Sequence, residues 1–299
     1  MRAIRIHAYG GPEQLRVEDV PEPHAGPGEI RIRVSAASIN PFDGKVLGGA
    51  LAGGAPLAEP IGFGFDASGV VDELGDGVDG VQLGDDVFGL GSQTQAEHAV
   101  LTAWVAKPAS LDWAVAGAAG VASETAIRTL DLLGVGAGST VLIDGGSGGV
   151  GAAAVQIAVA RGATVVATAG PSNQDYLREI RATPVVYGEG WAERVAATGV
   201  GPFDGVFDAV GKTPIAELTA LVDDPAKVVS IANFSATEAG ARLTTGGDGD
   251  KVGALTEAAR LLESSQLVIK TQTFPLDRAA EGYEAILSGH TRGKIVLLP

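Results

Sequence analysis

The chain has 299 residues, and at roughly 100–200 residues per domain this length suggests about two domains with a sizeable core. Hydrophobic residues make up 45% of the sequence and charged residues 19%, which excludes a mainly disordered chain. The formal net charge of −15 argues against a nucleic-acid-binding surface, because such surfaces carry clustered Lys and Arg.

The sequence contains no cysteine, which excludes disulfides and cysteine-ligated zinc sites. Residues 1–7 are typical of a charged strand rather than a signal peptide. No apolar run approaches the ~20 residues that a membrane span needs. We therefore expect a cytoplasmic protein without a metal, a membrane partner or a nucleic-acid partner.

The first third of the chain predicts a β-rich domain. Short apolar runs alternate there with Gly and Pro, and four of them predict strands at residues 30–34, 69–71, 86–90 and 98–101. Prolines fix φ and lack an N–H donor, so residues 21–28 predict a loop. The low-complexity run at residues 48–55 predicts a flexible loop near a pocket.

The pattern then changes to an Ala-rich helix at residues 113–133 and to strands that alternate with helices, which is the βαβ rhythm of a parallel sheet. The predicted strands are residues 141–143, 164–167, 185–187, 206–208 and 228–231, and the predicted helices are residues 149–161 and 174–181. Residues 236–253 predict a mobile loop. The last predicted elements are a helix at 255–262, a strand at 267–273, a helix at 276–287 and a strand at 295–298.

A glycine-rich turn follows the first of these strands, where residues 146–151 match G-x-G-x-x-G at the start of a helix. In dinucleotide-binding folds the first glycine allows the tight turn, the second lets the backbone approach a pyrophosphate, and the third permits close packing of helix on strand. The candidate cofactor-binding residues here are Gly146, Ser147, Gly148, Gly149, Val150 and Gly151. The alternative is a plain glycine-rich turn in a chain with 44 glycines. We expect the neighbouring Asp144 to point away from the phosphates.

The end of the next strand predicts the cofactor preference. NAD enzymes usually place an acid there, about 20 residues past the first glycine, to bind the ribose 2′-hydroxyl. No acid occurs between Ala169 and Asp175, which favours NADPH, with Ala169, Ser172 and Asn173 as contacts. Ser172 and Asn173 are equally typical of an ordinary turn.

Several motifs along the chain resemble the zinc-free quinone oxidoreductase branch of the medium-chain dehydrogenase/reductase superfamily, which includes zeta-crystallin. They are the glycine turn and residues 37–43 (ASINPFD), 60–71 (PIGFGFDASGVV), 81–89 (VQLGDDVFG), 96–98 (AEH), 203–211 (FDGVFDAVG) and 292–297 (RGKIVL). The resemblance spans the chain in order and implies an α/β protein. It implies a GroES-like β-rich substrate domain at residues 1–115 and 253–299. A Rossmann domain, a doubly wound parallel sheet that binds the nucleotide, is implied at residues 116–252. Members commonly form homodimers.

The resemblance also implies roles for individual residues. Asn40 and Asp43 match a stretch that lies beside the nicotinamide and orients cofactor and substrate, although Asn40-Pro41 is also a common turn initiator. Tyr187 matches a position that helps to hold the 2′-phosphate, although it is also typical of a half-buried strand aromatic. Further cofactor contacts are implied after the later strands and near the C-terminus, at Val210, Ile231, Ala232, Asn233 and Lys294.

The sequence departs from the family where many members place a basic residue after the second strand, since Ser172 and Asn173 stand there instead. An Arg or Lys would have made a stronger charge-assisted contact with a phosphate. Apolar candidates for the substrate pocket, each of which could equally be core, are Phe42, Leu47, Phe63 and Phe234.

We expect an NADPH-dependent oxidoreductase that transfers hydride, without zinc, to a quinone or an α,β-unsaturated carbonyl (enone). His98 and His290 are not compelling proton donors, so solvent is the expected proton source. The alternative from another class is an NADPH-binding sensor or a crystallin-like structural protein without turnover. A zinc alcohol dehydrogenase is disfavoured by the absent cysteines.

Overall fold

The computed structural model describes residues 1–289 and 291–299 and divides the chain into two compact units. Unit 1 comprises Met1–Val121, Leu255–Glu263 and Ile269–Pro299, and unit 2 comprises Ala122–Ala254 and Ser264–Val268. His290, weighed above as a proton donor, lies outside the described residues.

The described strands follow one another in this order: β1 (Arg2–Ile6), β2 (Arg16–Asp19), β3 (Ile30–Ile39), β4 (Ile61–Gly62), β5 (Asp66–Leu74), β6 (Asp86–Ser92), β7 (His98–Ala106), β8 (Thr140–Asp144), β9 (Thr164–Ala169), β10 (Thr183–Val186), β11 (Gly205–Asp208), β12 (Val228–Ser230), β13 (Arg242–Leu243), β14 (Thr271–Pro275) and β15 (Lys294–Leu298). The α-helices are α1 (Pro41–Leu47), α2 (Trp113–Leu132), α3 (Gly149–Ala160), α4 (Gln174–Glu179), α5 (Trp191–Ala196), α6 (Ile215–Thr219), α7 (Lys251–Glu263) and α8 (Ala279–Leu287). Two of the four changes from one unit to the other, near residues 121 and 254, fall inside helices, α2 and α7.

Unit 1 is built on two sheets, a small one with the order β2-β1-β4 and a larger one with the order β14-β15-β3-β5-β6-β7. β3 also pairs with β7, so that β3, β5, β6 and β7 close on one another. Apolar residues alternate along the first half of β3, and Ile30, Ile32 and Val34 are buried against Val87 and Leu101. Because side chains alternate along a strand, every second residue in this half of β3 points into the space that β3, β5, β6 and β7 enclose, and its apolar side chain fills that space.

Unit 2 is built on one parallel sheet with the order β10-β9-β8-β11-β12-β13. Counted along the chain within the unit, this order is 3-2-1-4-5-6, the doubly wound arrangement, whose switch point lies between β8 and β11. β8 is central, and its Val141, Leu142 and Ile143 are fully buried. A continuous apolar run is what a parallel strand covered on both faces requires.

Two stretches differ from their prediction. Residues 236–253 are not a loop throughout, because they contain β13, whose Arg242 pairs with Val229 of β12, and the start of α7. A strand of two residues is too short to show a hydrophobic period. The strand predicted at 267–273 begins only at Thr271. Gln156 Oε1 accepts the N–H of Val268 at 2.9 Å, and Gln156 Nε2 donates to the Val268 carbonyl at 3.1 Å. This side chain therefore takes the hydrogen bonds that a neighbouring strand would make.

Leu142→Ala is expected to lower the free energy of unfolding by about 2–5 kcal/mol, because it leaves a cavity in the centre of the unit 2 sheet. Leu142 packs there among Val166, Val206 and Val228. Leu83→Ala is the matched control, since the Leu83 side chain is 64% exposed and should cost less than about 0.5 kcal/mol. Urea unfolding of both variants measures the difference, and equal losses would contradict this placement of the core.

Candidate functional site

The glycine turn of unit 2 connects the end of β8 to α3, whose N-cap is Gly148. A Cβ on Gly146 would lie 2.7 Å from the Cβ of Ala167, and a Cβ on Gly151 would lie 2.2 Å from the carbonyl oxygen of Gly145. Packing within the protein therefore requires these two glycines. A Cβ on Gly148 would meet nothing nearer than 3.6 Å, and the φ of Gly148 is −74°, which any residue adopts. The protein itself does not require a glycine at 148.

The first N–H groups of α3, those of Gly149, Val150 and Gly151, have no carbonyl partner within the helix. They lie at the positive end of a helix of 12 residues, next to the Gly148 backbone that lacks a Cβ. N–H donors without a helical carbonyl partner, a favourable dipole and room for close approach together suit an anionic phosphate group.

Asp144 ends β8 and is buried. Its carboxylate accepts hydrogen bonds from the hydroxyls of Thr168 and Thr213, the second at 2.7 Å. Thr168 Oγ1 in turn accepts the N–H of Gly145 at 3.0 Å. Burial raises the pKa of Asp144, and the two hydroxyl donors oppose that effect. The carboxylate thus fixes the glycine turn to β9 and to the segment after β11.

The end of β9 lies beside the glycine turn. Ala169 is its last residue, and Ser172 and Asn173 belong to the short 3-10 helix that follows, where Asn173 Nδ2 donates to Ser147 Oγ at 3.3 Å. Tyr187 lies just after β10 rather than within it, because the strand ends at Val186. Its phenolic oxygen is 3.5 Å from where a Cβ on Gly170 would be. The structure therefore brings Ser147, Asn173 and Tyr187 to the same edge of the sheet.

The loops after β11 and β12 are organised by one buried side chain that the sequence analysis did not single out, Asp208. Its Oδ1 accepts the N–H groups of Val210 and Gly211 at 3.0 and 2.7 Å, and its Oδ2 accepts the Ser230 hydroxyl at 2.8 Å. The Ser230 hydroxyl oxygen in turn accepts the N–H groups of Ala232 and Asn233, at 3.1 and 2.9 Å. Ile231 donates its N–H to the Asp208 carbonyl at 3.1 Å. The candidate residues on these two loops therefore share one anchor. An acid at the end of an apolar strand, with Gly three residues later, is the signal that could have revealed it.

In unit 1, Asn40 is the N-cap of α1, and Asp43 lies in the first turn of that helix. Asp43 Oδ2 accepts the Asn40 N–H at 2.7 Å, and Asp43 Oδ1 accepts the Gly64 N–H at 3.0 Å. Asp43 is wholly buried. Burial raises the pKa of its carboxyl from 3.8 to about 7, against the lowering effect of the two backbone donors. Asp43 thus holds the Asn40 backbone to the segment before β5.

The Asn40 amide is held by a buried polar cluster. Its Nδ2 donates to Ser38 Oγ at 3.2 Å and to Asp66 Oδ1 at 3.0 Å, and its Oδ1 accepts from Lys294 Nζ. Asp66 also accepts the Ser38 hydroxyl through Oδ1 and the Val121 N–H at 2.9 Å through Oδ2. The orientation of the amide is therefore fixed on both its oxygen and its nitrogen.

Lys294, expected to reach the cofactor, is fully buried with its Nζ on Asn40. Burial lowers the pKa of Lys294, and the carboxyls of Asp66 and Asp43 oppose that effect. Asp66 was named in the sequence only as part of a motif. A lone acid among apolar and small residues is the signal that could have identified it as a buried charge needing a cation.

Two of the pocket candidates are core residues. Leu47 is fully buried and Phe63 almost so. Both pack against Ile39 and Tyr283, the latter with its ring edge-on to Phe63 at 5.9 Å. They are buried because α1 and α8 close over this side of β3 and β15. Phe42 and Phe234 are instead 41% and 56% exposed.

The remaining proton-donor candidate, His98, has Nε2 3.3 Å from Asp72 Oδ2, in an ion-pairing position between β7 and β5. Among residues 1–289 and 291–299, no three His, Asp or Glu side chains gather in a group that could hold a metal ion. No helix in this described part is long and apolar enough to cross a membrane.

A glycine turn that faces the switch point of a doubly wound sheet defines a dinucleotide-binding fold. Sequence profiles agree with that class. The profile of the alcohol dehydrogenase GroES-like domain matches residues 26–132, and that of zinc-binding dehydrogenases matches residues 180–297.

Individual proteins are similar over the whole chain. The quinone oxidoreductase of Sus scrofa is 30% identical over 330 residues, which cover 100% of this chain and 98% of that protein. The chloroplastic NADPH-dependent alkenal/one oxidoreductase of Arabidopsis thaliana is 28% identical over 318 residues, covering 100% of this chain and 80% of that protein. A mycobacterial protein whose structure was solved in complex with NADPH is 26% identical and has a TM-score of 0.86. The match covers 100% of this chain and 100% of that protein.

The chain therefore belongs to the quinone oxidoreductase branch of the medium-chain dehydrogenase/reductase superfamily. This confirms the resemblance drawn from the sequence motifs. The GroES-like match and the doubly wound parallel sheet also confirm the predicted α/β fold class.

Asp43→Asn is expected to change how stability depends on pH. The folded protein keeps the Asp43 proton up to about pH 7, whereas the unfolded chain releases it near its usual pKa of 3.8. The folded state holds the extra proton between these values, so the free energy of unfolding falls as the pH rises through this window. The variant should lack this component. It should also be less stable by about 1–3 kcal/mol, because one amide oxygen cannot accept from both backbone donors.

Urea unfolding at a series of pH values between about 4 and 7 measures the effect. Asp85→Asn is the matched control, because Asp85 is an exposed carboxylate that also accepts a backbone N–H, from Gln82 at 2.9 Å. If wild type and Asp43→Asn show the same dependence on pH, the buried proton at Asp43 is ruled out.

Proposed function

We propose that the protein is an NADPH-dependent oxidoreductase that reduces quinones or α,β-unsaturated carbonyl compounds. The observation that carries this proposal is Gly148, which no contact inside the protein explains and which a phosphate-bearing ligand does. The named activities of the Sus scrofa and Arabidopsis thaliana relatives support the acceptor classes, and the second of these supports NADPH.

Unit 2 would hold the cofactor. The turn at residues 146–151 and the N–H groups that begin α3 would bind the diphosphate. Ala169, Ser172, Asn173 and Tyr187 would surround the 2′-phosphate, and no carboxylate lies between residues 169 and 174 to repel it. The loops anchored by Asp208, with Val210, Ile231, Ala232 and Asn233, would flank the nicotinamide. The bound NADPH would supply the hydride.

Unit 1 would orient the reactants. The Asn40 amide is fixed by Lys294, Ser38 and Asp66, and the Asn40 backbone is fixed by Asp43, so its position costs no rearrangement when a ligand binds. In this arrangement Lys294 and Asp43 would not contact the reactants but would hold Asn40 in place. Phe42 is the exposed apolar candidate of unit 1 for contact with the acceptor, and its ring lies 5.5 Å from that of Phe65, edge-on.

We propose further that the reaction needs no zinc, since the chain has no cysteine to ligate it, and that the proton comes from solvent. Activated acceptors suit such a site, because the hydride acceptor carbon is already electrophilic without a Lewis acid. A homodimer in the cytoplasm, with no nucleic-acid partner, is the proposed state. The family resemblance supports the dimer, and the net charge of −15 disfavours nucleic acid.

Purified protein is expected to oxidise NADPH in the presence of a quinone or an enone, and to oxidise NADH more slowly. The absorbance of the reduced nicotinamide, followed with a panel of both acceptor classes, measures this. The ranking of acceptors would define the substrate class. Binding of NADPH without turnover of any acceptor would instead indicate a sensor or structural protein.

Gly148→Ala is expected to leave folding intact and to weaken NADPH binding by about ten-fold or more, because the added methyl group stands where the diphosphate would approach the backbone. Gly136→Ala is the matched control, since a Cβ on Gly136 likewise meets no close neighbour, with nothing within 4 Å, but lies in the turn that leads into β8. Calorimetric titration with NADPH measures both variants. Unchanged affinity in Gly148→Ala would contradict the phosphate site.

A further inference from the structure

Four consecutive backbone carbonyls, from the last residue of β10 onward, converge on one side chain, that of Arg194 in α5. Nε donates to the Val186 carbonyl at 2.9 Å, and Nη1 donates to the Glu189 carbonyl at 2.8 Å. Nη2 donates to the carbonyls of Tyr187 and Gly188 at 3.3 and 3.1 Å. Nothing in the sequence analysis assigned a role to this residue.

This loop has little conformational preference of its own. Gly188 and Gly190 have φ values of +94° and +72°, in the left-handed region, and a chain rich in such glycines is flexible when unfolded. Four carbonyl dipoles that point to one place also repel one another unless a cation lies there. Arg supplies a permanent charge and donors in a rigid planar fork, which a Lys ammonium does not. Arg194 therefore holds this loop in one conformation.

The residue fixed most directly is Tyr187. Its carbonyl is bound by Arg194, and its N–H donates to the Ala169 carbonyl at 3.3 Å, so its backbone is held from both sides. Its side chain is 59% exposed and lies beside Gly170, at the start of the 3-10 helix that carries Ser172 and Asn173. The phenol is thus placed at the end of β9, where dinucleotide folds distinguish the two cofactors.

We propose that Arg194 is a positioning residue for cofactor selectivity, which holds Tyr187 where its phenol favours NADPH over NADH. This inference rests on the proposed function. Arg194 acts through the backbone of residues 186–189 and not by binding the phosphate itself, since its guanidinium donates to four carbonyls. The selectivity of this chain, which has no basic residue between 169 and 177, then depends on a neutral donor held at the right distance.

The experiment is a double-mutant cycle with Tyr187→Phe, Arg194→Gln and the double variant, in which calorimetry measures the dissociation constants of NADPH and NADH. Tyr187→Phe should lower the preference for NADPH by about ten-fold, the value of one hydrogen bond to a charged group. Arg194→Gln should lower it by a similar factor, and the double variant should lose little more than either single variant, because both changes remove the same contact. Thermal unfolding checks that each variant folds.

Two further variants separate position from charge. Arg194→Lys keeps the charge but cannot bind four carbonyls, so it should lose most of the preference, as Arg194→Gln does. Arg161→Gln is the matched control for loss of a positive charge. Arg161 belongs to unit 2, follows the C-terminal end of α3 and pairs with Asp131 at 2.7 Å, so the preference should not change.

Three results would overturn the proposal: a full preference in Arg194→Gln, a full preference in Arg194→Lys, or single effects that multiply in the double variant. If Arg194→Gln does not fold, Arg194→Lys with Tyr187→Phe decides the question. Failure of the proposed function has a different signature, which wild-type protein alone would show: it would bind NADPH without turning over any acceptor, would bind NADPH no more tightly than NADH, or would bind neither.

Discussion

A buried carboxylate must receive hydrogen bonds from its surroundings, and within each unit this requirement fixes the segments that carry the candidate residues. Asp144 and Asp208 end neighbouring strands of the parallel sheet and bind hydroxyls and backbone N–H groups of the following segments. In unit 1, Asp43 and Asp66 do the same for the start of α1 and for the Asn40 amide. Without these hydrogen bonds, each loop would lose conformational entropy when a ligand binds, and that loss would weaken binding.

The buried carboxyl groups of the two units are stabilised by different kinds of partner. Asp144 is satisfied by neutral hydroxyls that only partly oppose the raising of its pKa by burial. Asp66 and Asp43 have Lys294 as a counter-cation, whose own pKa is lowered by burial. Removing the Lys294 ammonium would leave Asp66 without this opposing charge and the Asn40 oxygen without its donor. The Asn40 amide is therefore held by groups that cannot relax independently.

The features of the fold and of the candidate site that could be predicted are those whose residues lie close together in the sequence. The glycine turn lies within 11 residues that contain strand, turn and helix start, so it was recognised from the sequence, and the βαβ order followed from alternating patterns. The contact between Asn40 and Lys294 joins positions 254 residues apart, and no period or composition encodes it. Leu47 and Phe63 could be identified as core only once α8 was placed over them.

The negative charge of the chain makes the position of neutral donors decisive. A net charge of −15 opposes an anionic cofactor at long range, so at the proposed site binding would rely on groups that act at contact distance: backbone N–H groups, hydroxyls and amides. A contact of that kind loses its energy when displaced by less than an ångström, whereas a charge acts over several ångströms. The chain accordingly uses Arg194 to hold backbone carbonyls. On our proposal this cation therefore acts by fixing the geometry of a neutral donor, the Tyr187 phenol, and not by placing its own charge beside the phosphate.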